Sequence, residues 1–167
     1  IEQLVDKHPE IQAVTVGDQD TYSTSNLTDR GLQSLLSAEN MKSVHLTGCL
    51  GTGEGLLPQS NYSQNIQSLG LWDCDITDQG LSRILKGIGN GLKRLSLRTR
   101  PITGEQLGEL QGKFSNLETL ELWHCTNLTD QGLSDILKMC GGGLKHLDIY
   151  NTNISGAGLS ALQGKFP

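Results

Sequence analysis

Aromatic residues and an arginine, which are common in protein-binding surfaces, recur at one position, or step, of a repeated sequence pattern. Trp72, Arg98, Trp123 and Tyr150 occupy that step in four successive repeats, and they include both tryptophans of the 167-residue sequence. Trp, Tyr and Arg dominate the binding energy of protein interfaces. Polar side chains at neighbouring steps would add specificity, and these are Asp73, Arg94, Glu121, His124, His146 and Asp148. The pattern predicts a contact surface for a protein or peptide ligand; the alternative is that the rings only pack on one another to cover a sheet.

The repeated pattern is a short strand followed by a short helix. Residues 117–122 read Leu-Glu-Thr-Leu-Glu-Leu, the alternation of a strand with one buried face, and Leu133, Ile136 and Leu137 follow at helical spacing. Such strands begin near residues 11, 41, 66, 92, 117 and 144. Apart from the longer first unit, this period falls in the range of roughly 20–29 residues that is typical of leucine-rich repeats. We therefore predict one α/β domain over residues 1–167, a leucine-rich-repeat solenoid with a concave parallel sheet of six strands and convex helices.

The repeats alternate between two types. Thr-Asp-Gln-Gly-Leu-Ser begins a helix at Thr77 and again at Thr129, with Thr as the N-cap and Asp in the first turn. The repeats after them carry Thr103-Gly-Glu and Ser155-Gly-Ala instead, so that residues 66–116 are echoed by 117–167. An equivalent position of each repeat should place a side chain that plugs the end of its helix. Four repeats have Ile88, Phe114, Cys140 and Phe166 at this position. In the second repeat, glycines between residues 51 and 55 interrupt any long helix, and the missing Lys-Ser/Thr argues against a phosphate loop.

Two facing acids suggest other chemistry. Glu121 and Asp148 occupy the same step of adjacent strands, and His146 is close by. Such a group could hold a cation or perform acid–base catalysis. An open sheet face, however, has no enclosed pocket in which a pKa is raised. We therefore expect no enzyme, no metal site and no cofactor, and the paired acids favour attraction for a basic partner.

Composition narrows the classes of protein further. A formal net charge of −5 argues against nucleic-acid binding, and no apolar run reaches the ~20 residues of a membrane span. Three cysteines (Cys49, Cys74 and Cys125) stand where their strands end, and Cys140 ends a helix. We expect all four to be reduced, buried fillers, which points to the cytoplasm. The start without Met and the absence of polar end caps suggest a monomeric fragment of a longer protein.

The motif Leu-x-x-Cys-x-Ile-Thr-Asp-x-Gly-Leu at residues 71–81, with a close variant at 122–133, resembles the cysteine-containing leucine-rich repeats of F-box proteins. The alternation of repeat types is similar to the C-terminal, ribonuclease-inhibitor-like repeats of NLR-type innate immune sensors. Both resemblances imply a horseshoe that recognises proteins. The leading hypothesis is the ligand-recognition module of an NLR-like sensor, and the alternative is the substrate-recognition array of an F-box ubiquitin-ligase subunit. An extracellular receptor and an enzyme rank below these.

Overall fold

The computed structural model describes residues 7–17, 25–57 and 62–157, and its strands form one six-stranded sheet. All neighbours are parallel, and the strands lie in the order of the chain. They are β1 (Ala13–Val16), β2 (Ser43–Thr47), β3 (Ser68–Trp72), β4 (Arg94–Arg98), β5 (Thr119–Leu122) and β6 (His146–Asp148). The predicted fold class, with a parallel sheet of six strands, is therefore confirmed. Each strand with the segment that follows it is called a rung below.

Within the described residues, the three α-helices belong to alternate rungs. α1 (Asp29–Ser37), α2 (Asp78–Ile88) and α3 (Asp130–Cys140) come after the first, third and fifth strands. Two short 3-10 helices, Gly89–Gly91 and Glu105–Leu110, complete the described helical structure. The predicted caps form in α2 and α3, where the side chain of the N-cap threonine accepts a hydrogen bond from a glycine N–H three residues later. The N-cap of α1 has the same extended backbone but makes no side-chain bond.

The core is a stack of aliphatic layers, one from each rung. In the ladder Leu69 pairs with Leu95, Leu95 with Leu120 and Leu120 with Leu147, so that equivalent leucines lie directly above one another. The first three are fully buried, and Leu147 is partly buried against the core. Ile88, Phe114 and Cys140 are also buried, as expected for plugs at the helix ends, whereas Phe166 lies outside the described residues.

An aspartate at the start of each α-helix connects its rung to the next one. The buried Asp78 carboxylate accepts hydrogen bonds from the backbone N–H of Thr103 at 3.1 Å and of Gly104 at 3.0 Å, and also contacts the Thr103 hydroxyl. Asp29 accepts from the N–H groups of Gly53 and Gly55, both at 2.7 Å. The acid that the sequence assigns to the helix dipole is therefore a cross-link between rungs.

These cross-links make the irregular second rung an ordinary member of the array. Asp130 bonds to the loop of the sixth rung through the N–H of Gly156 at 3.2 Å, as Asp78 bonds to the loop of the fourth. Gly53, Gly104 and Gly156 all adopt a left-handed backbone, with φ of 79°, 86° and 94°. The loop around Gly53 is thus the counterpart of the other two, with its N–H groups occupied by a carboxylate of the same chain. The two-rung unit predicted for residues 66–167 also describes the first two rungs.

One side-chain hydrogen bond recurs between successive two-rung units. The hydroxyl of Thr77 donates to Glu54 Oε1 at 2.7 Å, and the hydroxyl of Thr129 donates to Glu105 Oε1 at 2.9 Å. Each N-cap threonine thereby uses its oxygen twice, as acceptor within its helix and as donor to the preceding loop. Ala157 stands at the corresponding position of the last unit.

Candidate functional site

Both tryptophans lie on the face of the sheet that points away from the leucines, which we call the concave face. The Trp72 indole N–H donates to Ser96 Oγ at 2.9 Å, and the Trp72 and Trp123 ring centroids are 5.9 Å apart at 37°. The two rings approach each other across β4, since Ser96 on that strand is small enough to lie beneath them. Neither ring belongs to the leucine core, and both are partly exposed.

His45 joins this pair, although its sequence pattern did not single it out. Its ring packs edge-on against Trp72 with centroids 4.4 Å apart. A Cβ at Gly70 would come within 2.1 Å of His45 Nδ1, so only glycine allows the imidazole to lie over β3. Burial lowers the pKa of His45, and the charge of Glu121 partly opposes that shift. His45, Trp72 and Trp123 form what we call the aromatic cluster.

Two arginines of β4 flank the cluster, each facing a carboxylate at a distance too long for a hydrogen bond. Arg98 Nε lies 3.7 Å from Asp73 Oδ2, and Arg94 Nη1 lies 3.7 Å from Glu121 Oε1. The Arg94 side chain is 57% exposed, whereas that of Glu121 is only 14% exposed. In the other pair the order is reversed, since Asp73 is 40% exposed and Arg98 only 24%, so both signs of charge are accessible at this part of the face.

The two facing acids, Glu121 and Asp148, each already interact with another group of the chain. Glu121 pairs with Asp148 in the ladder, as predicted. Glu121 is next to Arg94, and Asp148 Oδ1 accepts a hydrogen bond from the N–H of Tyr150 at 3.1 Å. This engagement weakens the case for a basic partner. His146 is exposed at the start of β6 and takes part in none of these pairings.

A second group lies at the rim, where the strands end. Asp73, His124 and Asn151 occupy equivalent positions with φ of 48°, 52° and 53°, a left-handed backbone that Asp, Asn and His tolerate better than most residues. His124 Nδ1 lies 2.7 Å from Asn151 Nδ2, and its ring meets Tyr150 edge-on with centroids 5.7 Å apart. Tyr150 is 66% exposed. We call His124, Tyr150 and Asn151 the rim cluster.

Nine of the ten predicted binding residues therefore fall into contacting or paired groups, and His146 does not. Sequence reasoning missed His45 and Ser96, whereas the repeat pattern places Asn151 in the same polar column as Asp73 and His124. The signal for His45 was present, because it shares the strand step of Glu121 and is followed in the next rung by Gly70, which has no side chain to cover it.

The cysteines behave as fillers. All four are buried thiols outside any disulfide. The thiol of Cys49 donates to the Leu27 carbonyl at 3.2 Å, and that of Cys140 donates to the Ile136 carbonyl at 3.2 Å. The neighbouring Cys49 thiol raises the pKa of Cys74, and burial raises the pKa of Cys125. Both effects keep these two thiols protonated and unreactive.

Comparison with known proteins agrees with this geometry. The family model for the leucine-rich repeat matches residues 62–85 and 144–162, the first of which spans β3 and most of α2. The chain is a leucine-rich-repeat solenoid. This solenoid resembles F-box leucine-rich-repeat proteins: it is 35% identical over 88 residues to F-box/LRR-repeat protein 4 of Bos taurus. The match covers 52% of the solenoid and 14% of that relative, so the chain corresponds to a small part of the longer protein.

No helix in the described part of the chain combines the length and apolar character needed to cross a bilayer. Within residues 7–17, 25–57 and 62–157, no three His, Cys, Asp or Glu side chains are grouped so that they could hold a metal ion.

Proposed function

We propose that the concave face of this solenoid binds a protein or peptide through the aromatic and rim clusters. The observation that carries the proposal is the position of the two tryptophans, which pack on each other on an open sheet face rather than in the core. A large aromatic surface that remains accessible to water is costly unless a partner covers it. Leucine-rich repeats serve as protein-interaction modules, and the solenoid provides a rigid support for these side chains.

The parent protein we propose is an F-box ubiquitin-ligase subunit, in which this array would recognise the substrate. The similarity to F-box/LRR-repeat protein 4 supports this class. An NLR-type sensor, the leading hypothesis from the sequence, has no comparable support and becomes the alternative. The two classes differ in the rest of the gene, which should encode an F-box for the first and a nucleotide-binding domain for the second. The thiols of Cys49, Cys74 and Cys125, which are in no disulfide, fit the reducing cytoplasm that we propose as its compartment.

Selection from a random peptide display library tests the binding function. Enriched peptides should bind the 167-residue chain and lose about tenfold or more in affinity with Tyr150→Ala, which removes the exposed ring of the rim cluster. Leu50→Ala is the matched control, because Leu50 is also a large exposed apolar residue, 49% accessible, outside both clusters.

Circular dichroism should show both variants folded, because neither side chain is part of the core. Peptides that bind both variants with the same affinity, or a selection that enriches nothing, would contradict a concave binding site.

A further inference from the structure

Buried polar atoms without a hydrogen-bond partner collect on the concave face. Four side-chain atoms there are covered from solvent and unbonded: His45 Nε2, Thr47 Oγ1, Arg98 Nε and Trp123 Nε1. They come from β2, from β4 and from the residue that follows β5. A buried donor without a partner costs about 1–3 kcal/mol, so four of them on one face need an explanation.

The chemistry of these atoms indicates what is missing. Arg98 Nε–H and Trp123 Nε1–H can only donate, and the Thr47 hydroxyl and the His45 ring can donate as well. The nearby acceptors are taken or out of reach, since Ser96 Oγ already accepts from Trp72 and Asp73 lies 3.7 Å from Arg98 Nε. The Thr47 hydroxyl and a neutral His45 ring can also accept, so the two obligate donors left without an acceptor are Arg98 Nε–H and Trp123 Nε1–H.

Arg98 and Trp123 are adjacent, so one acceptor group can serve both. The backbone N–H of Trp123 donates to the Leu97 carbonyl at 2.8 Å, which places the two residues side by side on neighbouring rungs. A guanidinium prefers a carboxylate, which it binds with two parallel hydrogen bonds. Of the two flanking acids, Glu121 is largely covered, and Asp73 is exposed but lies beyond hydrogen-bond distance of Arg98 Nε. Arg98 Nε therefore keeps an unused donor beside Trp123.

We propose that this part of the concave face binds the carboxylate of an acidic residue in the partner protein. Arg98 is the main contact, and the Trp123 indole N–H is the second donor. The inference rests on the proposed function and specifies its ligand. Since Trp123 Nε1 is covered in the free chain, its ring turns when the carboxylate binds. The only two tryptophans of the chain both lie here, so intrinsic fluorescence reports on this site alone.

The test is peptide selection with three proteins: the unchanged chain, Arg98→Gln and Arg100→Gln. Arg100 is an exposed residue past the end of the same strand, and its substitution removes the same charge. The unchanged chain and Arg100→Gln should enrich peptides with Asp or Glu at one fixed position, and Arg98→Gln should not.

Synthetic peptides then measure the contact in the unchanged protein, which avoids any doubt about folding. Replacing the fixed Glu by Gln should weaken binding about ten- to a hundredfold in a tryptophan-fluorescence titration. Trp123→Phe keeps a ring at that position and removes the N–H; it should reduce affinity for the Glu peptide more than for the Gln peptide.

Four results would overturn the proposal. Peptides that depend on Tyr150 but show no preference for an acidic residue would support the binding function and contradict the proposed carboxylate ligand. Peptides with a fixed basic residue would have the same meaning. Equal acidic enrichment by Arg98→Gln would assign the preference to another residue. If no peptide is enriched by any of the three proteins, the proposed function fails together with the inference.

Discussion

Replacing Gly80 with alanine should destabilise the fold, although alanine favours a helix by about 1 kcal/mol over glycine. Gly80 lies in the first turn of α2, where an added Cβ would come within 1.9 Å of the Thr52 carbonyl oxygen and 2.8 Å of Gly53 Cα. Both are backbone atoms of the preceding rung, so the two rungs must separate by more than about 1 Å to restore ordinary contact.

The magnitude follows from three contributions. Overpacking of this kind costs about 1–3 kcal/mol. Movement of Thr52 also strains the hydrogen bond that its carbonyl accepts from the N–H of Thr77 at 3.1 Å, worth about 1 kcal/mol. After the helix-propensity gain is subtracted, the free energy of unfolding should fall by about 2 kcal/mol.

Gly31→Ala is the matched control, because Gly31 is the equivalent residue of α1. Among the described residues, its Cβ would meet only the flexible side chain of Leu27, with Cδ1 at 2.4 Å and Cγ at 3.4 Å. We expect this variant to be unchanged or slightly more stable than the unchanged chain. Urea unfolding followed by far-UV circular dichroism measures both variants. The reasoning is refuted if Gly80→Ala matches the unchanged chain, or if Gly31→Ala loses as much stability.

Three further predictions concern single side chains. Asp78→Ala should lower the free energy of unfolding by about 3 kcal/mol in urea titrations, because the buried N–H of Gly104 loses a charged acceptor. The control is Asp75→Ala, which replaces an exposed aspartate and should change the free energy of unfolding by less than about 0.5 kcal/mol. Equal effects of the two substitutions would disprove the cross-link. Phe114→Ala should cost about 3–5 kcal/mol because the ring is 1% exposed, and a thermal melt unchanged by this substitution would contradict the plug. Burial lowers the pKa of His45 in the folded chain, so the unfolded chain binds a proton more readily than the folded one. The free energy of unfolding should therefore fall as the pH drops below 6.5, and His45→Gln should reduce this pH dependence. Identical urea midpoints for the unchanged chain at pH 7.5 and 5.5 would count against the buried imidazole.

The leucine spacing was sufficient to predict the strands, their parallel order and their register. Leu120 and Leu122 must face the same side, and a slip by one residue would turn every leucine of that strand into water. The helix starts could also be predicted from the sequence, because Thr77 and Thr129 precede an apolar helical face and cap their helices as expected. These features depend on residues close together in the chain.

The contacts that determine the candidate site depend on residues far apart. Trp72 and Trp123 are 51 positions apart, and their rings meet across β4, where the Trp72 indole N–H donates to Ser96 Oγ. Thr103, whose N–H bonds to Asp78, lies 25 residues further along the chain. An acid in the first turn of a helix is already explained by the helix dipole, so the sequence gives no sign of this second interaction. Period and spacing specify which face a side chain occupies, but not which neighbour it touches there.

The aspartate cross-link restricts how the gene for such an array can lengthen or shorten. Duplication of a single aspartate-bearing rung would place its carboxylate opposite the acidic start of another helix, where no left-handed glycine presents an N–H. Duplication of two adjacent rungs reproduces every bond on both sides. Evolution should therefore add or remove such units in even numbers, and related arrays should differ in length by about 50 residues rather than 25.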